Sequence, residues 1–125
     1  MAYKVHFEQE KDILKVEISG EREKEKLIND ASEVWREIAK VNREKGLMKI
    51  LVLSSATGKY PIFDALMINQ NLAAFGVQRK WKIAFVNLDQ VSFPEVKVAE
   101  MIAINRGFNI RIFPEENNAR SWLLE

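Results

Sequence analysis

Three short apolar runs, "MKILVL" from Met48, "WKIAFV" from Trp81 and "NIRIF" from Asn109, recur along the chain, and a segment of helical character follows each. A strand that is apolar at nearly every position must be covered on both faces, and parallel strands flanked by helices provide that cover. The N-terminal region is patterned differently. Tyr3, Val5 and Phe7 alternate with Lys4, His6 and Glu8. After the polar turn Glu10-Lys11-Asp12 and Ile13, Leu14, Val16 and Ile18 alternate with Lys15 and Glu17. Two alternating runs around a short polar turn predict an antiparallel hairpin.

Between the hairpin and the first apolar run, Leu27, Ile28, Ala31, Val34, Trp35, Ile38 and Val41 recur at three- and four-residue spacing, which predicts a helix closed by Gly46. The stretch before it, "EREKEK" from Glu21, alternates in sign and reads as the first turns of that helix, a solvated face with local ion pairs. A second helix is expected from Pro61 to Phe75. A third is expected from the capping box Ser92-Phe93-Pro94-Glu95 to Arg106, and a last one from Pro114. The order ββαβαβαβα defines an α/β fold: a mixed sheet, with an N-terminal antiparallel hairpin and then parallel strands, layered with four helices. Residues 1–125 are expected to form one domain, as 125 residues at 47% hydrophobic content suit one core.

Composition removes several function classes. Nineteen basic and eighteen acidic residues leave a net charge of +1, so no global field favours nucleic acid or an anionic membrane. With no cysteine and one histidine, disulfides, thiolate metal sites and cysteine nucleophiles are excluded, and neither a metal nor a cofactor is expected. The N-terminal residues do not resemble a signal peptide, and no apolar stretch reaches the ~20 residues that span a bilayer. The expectation is a cytoplasmic protein.

The loop after the first apolar strand contains Thr57-Gly58-Lys59, a fragment of a phosphate-binding loop. Leu53 stands where that loop needs its first glycine, and Tyr60 follows the lysine where Ser or Thr is needed. There is no G-x-S-x-G elbow, and His6 lies on the polar side of its strand, so no base serves a nucleophilic serine. Asp64 and Glu95 are placed to act at helix N-termini. No catalytic residues are assigned, and no enzyme is expected.

Position singles out what remains. Ligands of open α/β sheets bind beyond the carboxyl ends of the strands. Those ends carry Ser19, then Ser54, Ser55, Thr57 and Gly58, then Asn87, Asp89 and Ser92. Such a cluster either holds an anion or displays a hydroxyl for phosphorylation, or else serves ordinary turn chemistry. The second helix has two apolar stripes where one suffices to cover a sheet. Ala65, Ile68, Leu72 and Phe75 form one, and Phe63, Met67 and Ala74 the other. The second stripe, with Tyr60 before it, is expected to meet a partner, an apolar ligand or the neighbouring helix.

Four signatures, "ISG" closing the hairpin, "KILVLSS" before a polar loop, "KIAFVN", and the terminal "IRIFPEENNARSWL", resemble the STAS superfamily, specifically its SpoIIAA-like branch. The resemblance implies a small non-catalytic regulatory module. In anti-sigma-factor antagonists of that superfamily, a serine in an Asp-Ser-Ser-Gly-like loop is phosphorylated to switch partner binding. The matching loop here, Ser54 to Gly58, lacks the aspartate and the contiguous Ser-Gly, so only Ser55 and Thr57 carry over. The branch is also similar in shape to CRAL-TRIO lipid-binding domains. Two functions are therefore expected. One is a regulatory module that binds a protein partner, or itself as a homodimer, through the second helix and its preceding loop. The other is a domain that binds a lipid or apolar small molecule in a pocket beside the second and third helices.

Overall fold

A computed structural model of the protein describes residues 3–125. Strands β1 (Tyr3–Glu10) and β2 (Ile13–Gly20) form the expected hairpin, turning at Lys11 and Asp12 with Lys11 at φ 54°. Helix α1 (Leu27–Lys45) leads to β3 (Lys49–Ser54), α2 (Ile62–Gln70) to β4 (Lys82–Asn87), and α3 (Phe93–Val98) with α4 (Glu100–Asn105) to β5 (Asn109–Phe113). Helix α5 (Glu116–Leu123) follows. The strands lie in sequence order, with β1 antiparallel to β2 and every other neighbour parallel. The mixed α/β sheet is as expected.

Connections of one hand between successive parallel neighbours place their helices on one face. Accordingly α2 packs beside α1, α3 and α4, while α5 packs on β3, β4 and β5. Strand alternation then sorts the side chains. Leu14, Val16, Ile50, Val52, Ile83 and Ile110 join Leu27, Val34, Trp35, Ile38, Ile68 and Leu72 in the larger core. Ile13, Leu51, Ala84 and Val86 face the other way, against Ala119, Trp122 and Leu123 of α5.

Three helical expectations need correction. Residues 21–26 are not the first turns of α1: Glu21 pairs with Thr57 as an isolated parallel bridge, and the helix starts at Leu27. Helix α2 stops at Gln70, short of Phe75. Asn69 and Asn71 donate side-chain amides to the carbonyls of Ala65 and Met67, at 2.9 and 2.7 Å, and turns continue to Gly76. Such local bonds compete with the helical ladder. The third helix is broken at Ala99, where bonds run from Ala99 N–H to Val96 O and from Ile102 N–H to Ala99 O in tight three-residue steps. Lys97 and Glu100, on either side of the break, both reach the backbone of Ile112 in β5.

Candidate functional site: a closed polar knot beside an open apolar surface

Arg22 organises the carboxyl end of the sheet. Its side chain is 3% exposed. Nη1 donates to Gly58 O at 2.7 Å and to Ser92 Oγ at 3.2 Å, and Nη2 donates to Asn87 Oδ1 at 3.3 Å. Asp89 Oδ2 lies 3.7 Å from Nη1, and the Tyr60 ring lies under the guanidinium at 4.8 Å from its centroid. Asn87 Nδ2 donates to Asp89 O at 3.0 Å and to Ser92 Oγ at 3.1 Å, and Ser92 Oγ donates to Asp89 Oδ2 at 2.8 Å. One buried cation thus ties together the segments after β2, β3 and β4. A buried charge needs such a full set of partners, because each unmade bond would carry a desolvation cost.

Burial raises the Tyr60 phenol far above its ordinary value, and it also raises Tyr3, which the Arg22 charge partly offsets. Both rings line a void of about 40 Å³ with Arg22, Ser54, Trp35 and Phe85. A neighbouring void between α2, α3 and the sheet is about 20 Å³. Both are on the scale of bound waters.

The loop Ser54–Gly58 is pinned along its backbone. Ser55 N–H donates to Ile18 O, Thr57 N–H to Gly20 O and Arg22 N–H to Thr57 O, at 2.8, 3.0 and 2.8 Å. Gly58 has φ +101°, a conformation that residues with side chains rarely adopt, and a Cβ there would crowd Arg22 O at 3.3 Å.

The predicted strand-end cluster divides in two. Asn87, Asp89 and Ser92 meet around Arg22, with Ser54 buried on the same side. Ser19 and Ser55 open instead onto a shallow depression of about 410 Å³ on the opposite face, with Lys4, His6, Glu17, Leu53 and Leu88. Thr57 is exposed. The capping box is also corrected. Ser92 makes no side-chain cap bond, because its hydroxyl belongs to the Arg22 cluster, and Glu95 leaves Oε2 buried without a hydrogen-bond partner among the described residues. Arg22, the centre of the arrangement, belongs by local pattern to a solvated run of alternating charge, and the fold buries it instead. A purely local pattern holds no signal for contacts with residues 87 and 92.

Beside this knot lies an open surface. The stripe Ala65, Ile68, Leu72 and Phe75 is buried, as a sheet-covering stripe should be. The other stripe faces outward: Phe63 is 68% exposed, Met67 is half-buried and Ala74 exposed. Ile62, Val91, Val98, Met101 and Ile104 are also exposed on α2, α3, α4 and the segment before α3. Tyr60, Pro61, Val91 and Glu95 line a depression of about 420 Å³ between the starts of α2 and α3. Tyr60 itself is mostly turned inward, under Arg22.

No group of three or more potential metal ligands occurs among the described residues, and none of their helices is long and apolar enough to cross a membrane. The architecture is a hairpin-led mixed α/β sheet, with α1 to α4 on one face and the C-terminal helix α5 on the other. Among solved structures, the chain is similar to an anti-sigma factor antagonist from Mycobacterium paratuberculosis. The TM-score is 0.56 and the identity 10%, with 98% of this chain and 95% of the other covered. No protein-family model matches the chain, and no curated protein sequence does.

Proposed function

We propose that the protein is a non-catalytic regulatory module that binds a protein partner through the outward stripe of α2 and the loop before it. The observation that carries this reading is Phe63, an aromatic side chain 68% exposed in a fold that buries even an arginine. Clustered exposed apolar side chains mark interaction surfaces more often than isolated ones do. The fold shared with an anti-sigma factor antagonist supports a protein as the partner. Of the two candidate hydroxyls of the adjoining loop, Ser55 opens on the other face of the sheet, and Thr57 is the exposed one whose phosphorylation would add charge beside this surface. Voids of about 40 and 20 Å³ weigh against a lipid or apolar ligand enclosed between these helices and the sheet.

The experiment is affinity capture with the wild type and with Phe63→Lys/Met67→Lys, after both have been shown to have the same circular dichroism and unfolding midpoint. Loss of a stoichiometric partner in the variant supports the reading. Retention of the same partner by both overturns it.

A further inference from the structure

The two edges of the sheet are finished differently. At β5, the N–H of Ile112 donates to Glu100 Oε2 at 2.7 Å, and Lys97 Nζ donates to Ile112 O at 2.9 Å. Side chains from α3 and α4 thus occupy backbone groups that a further strand would need. The β1 edge has no such cover among the described residues: no side chain hydrogen-bonds to its backbone, and it contains neither proline nor a bulge. All eight residues pair with β2 in unbroken register. An open, straight edge of this length is a template for another strand.

The charges along β1 indicate which strand. Glu8 stands opposite Lys15, but the Lys15 ammonium turns to Glu10 and Glu17, at 3.4 and 3.3 Å. Lys4 stands opposite Ser19. Lys4 therefore has no carboxylate partner and Glu8 no lysine or arginine partner among the described residues, His6 being the one basic group paired with Glu8, at 4.0 Å. Set antiparallel to itself about His6, β1 places Lys4 opposite Glu8 of the second copy and Glu8 opposite its Lys4. On the other face the same register sets Val5 against Phe7 twice. Val5 and Phe7 are half-buried beside the main core, so a neighbouring strand would extend their cover. Shifting the centre to Phe7 would call on Glu10, whose carboxylate is already held by Arg120 at 3.0 Å. Shifting it to Val5 would set Lys4 against His6.

We propose that the β1 edge is a homodimer interface, in which two copies join antiparallel about His6 into one continuous sheet. This surface is separate from the α2 stripe. The test is sedimentation of the full chain at neutral pH, low ionic strength and high micromolar concentration. The wild type is expected to sediment as a dimer. Glu8→Lys and Lys4→Glu each set like charges opposite one another at two symmetric positions and should weaken the dimer about tenfold or more. The double variant Lys4→Glu/Glu8→Lys exchanges the signs and should restore it. Phe63→Lys should leave the dimer intact. A monomeric wild type overturns the proposal, as does a double variant no tighter than the single ones, or loss of the dimer in Phe63→Lys. Circular dichroism on each variant separates a lost interface from a lost fold.

Discussion

Ser54 and Ser55 are neighbours in sequence and face opposite sides of the sheet. Ser54, with Ile50 and Val52, points toward α1, where the strand-end polar groups are gathered, buried and bonded around Arg22. Ser55 is exposed on the other side, its hydroxyl donating to Ile18 O at 3.2 Å. The same alternation separates Asn87 from Leu88. One residue of register thus decides whether a polar group at this edge joins the buried cluster or faces solvent. Hydroxyls at a strand end do not form one site by virtue of being close in sequence.

The sharpest test of this contrast is Arg22→Ala. It removes the partner of Gly58 O, Asn87 Oδ1, Ser92 Oγ and Asp89 at once, and the expected loss is about 3 kcal/mol in denaturant unfolding. A loss under about 1 kcal/mol would mean that the cluster does not hold the three segments. Gly58→Ala acts on the same cluster through the backbone, with a positive φ and a Cβ against Arg22 O, and should cost about 2 kcal/mol. Ser92→Ala keeps the ion pair and removes one shared hydroxyl, for about 1 kcal/mol. Ser55→Ala, on the open side, should stay within about 0.5 kcal/mol of the wild type. If Ser55→Ala costs as much as Ser92→Ala, the contrast between the two sides fails.

Titration offers a finer comparison away from this edge. Hydrogen bonding to Arg120 holds the Glu10 carboxyl below its ordinary value of 4.5. Its contribution to stability is present above pH 4.5 and is lost as pH falls through the lowered value of the folded state. Arg120→Gln should therefore flatten the acid limb of a stability–pH curve, by lowering stability slightly near neutrality and leaving it nearly unchanged at low pH. Tyr60, raised by burial, works in the opposite range. Its contribution is present below its ordinary value of 10.0 and falls as pH rises past it, so Tyr60→Phe should flatten the alkaline limb.

Much of the fold is legible in the residues. Continuous apolar runs became β3, β4 and β5, the alternating runs became the hairpin, and the two-striped helix has one stripe buried and one exposed. The division of the strand-end cluster was legible too. Ser19 follows Ile18, and Ser55 follows the inward row Ile50, Val52, Ser54, so alternation alone places both serines on the far face. Other features were beyond local pattern. Ser92 and Glu95 have the identities and spacing of a capping box, yet the Ser92 hydroxyl is drawn to an arginine 70 positions earlier. The break at Ala99 coincides with Lys97 and Glu100 reaching β5, a tertiary demand that helical periodicity does not encode. The outward stripe of α2 left a partner, an apolar ligand and the neighbouring helix open as its cover, because a periodic pattern states which face is apolar without saying what meets it.

The buried position of Arg22 bears on how this segment tolerates redesign. Shuffling "EREKEK" so that composition and net charge are both kept would look silent by any measure of net surface charge. Exchanging Glu21 and Arg22 is the smallest such shuffle, and it would place a carboxylate among Asp89, Asn87 Oδ1 and Gly58 O, all of them acceptors. The segment therefore has one position where the sign of the charge is fixed and several where it is free, and a library of charge permutations across residues 21–26 would separate them in a single stability selection.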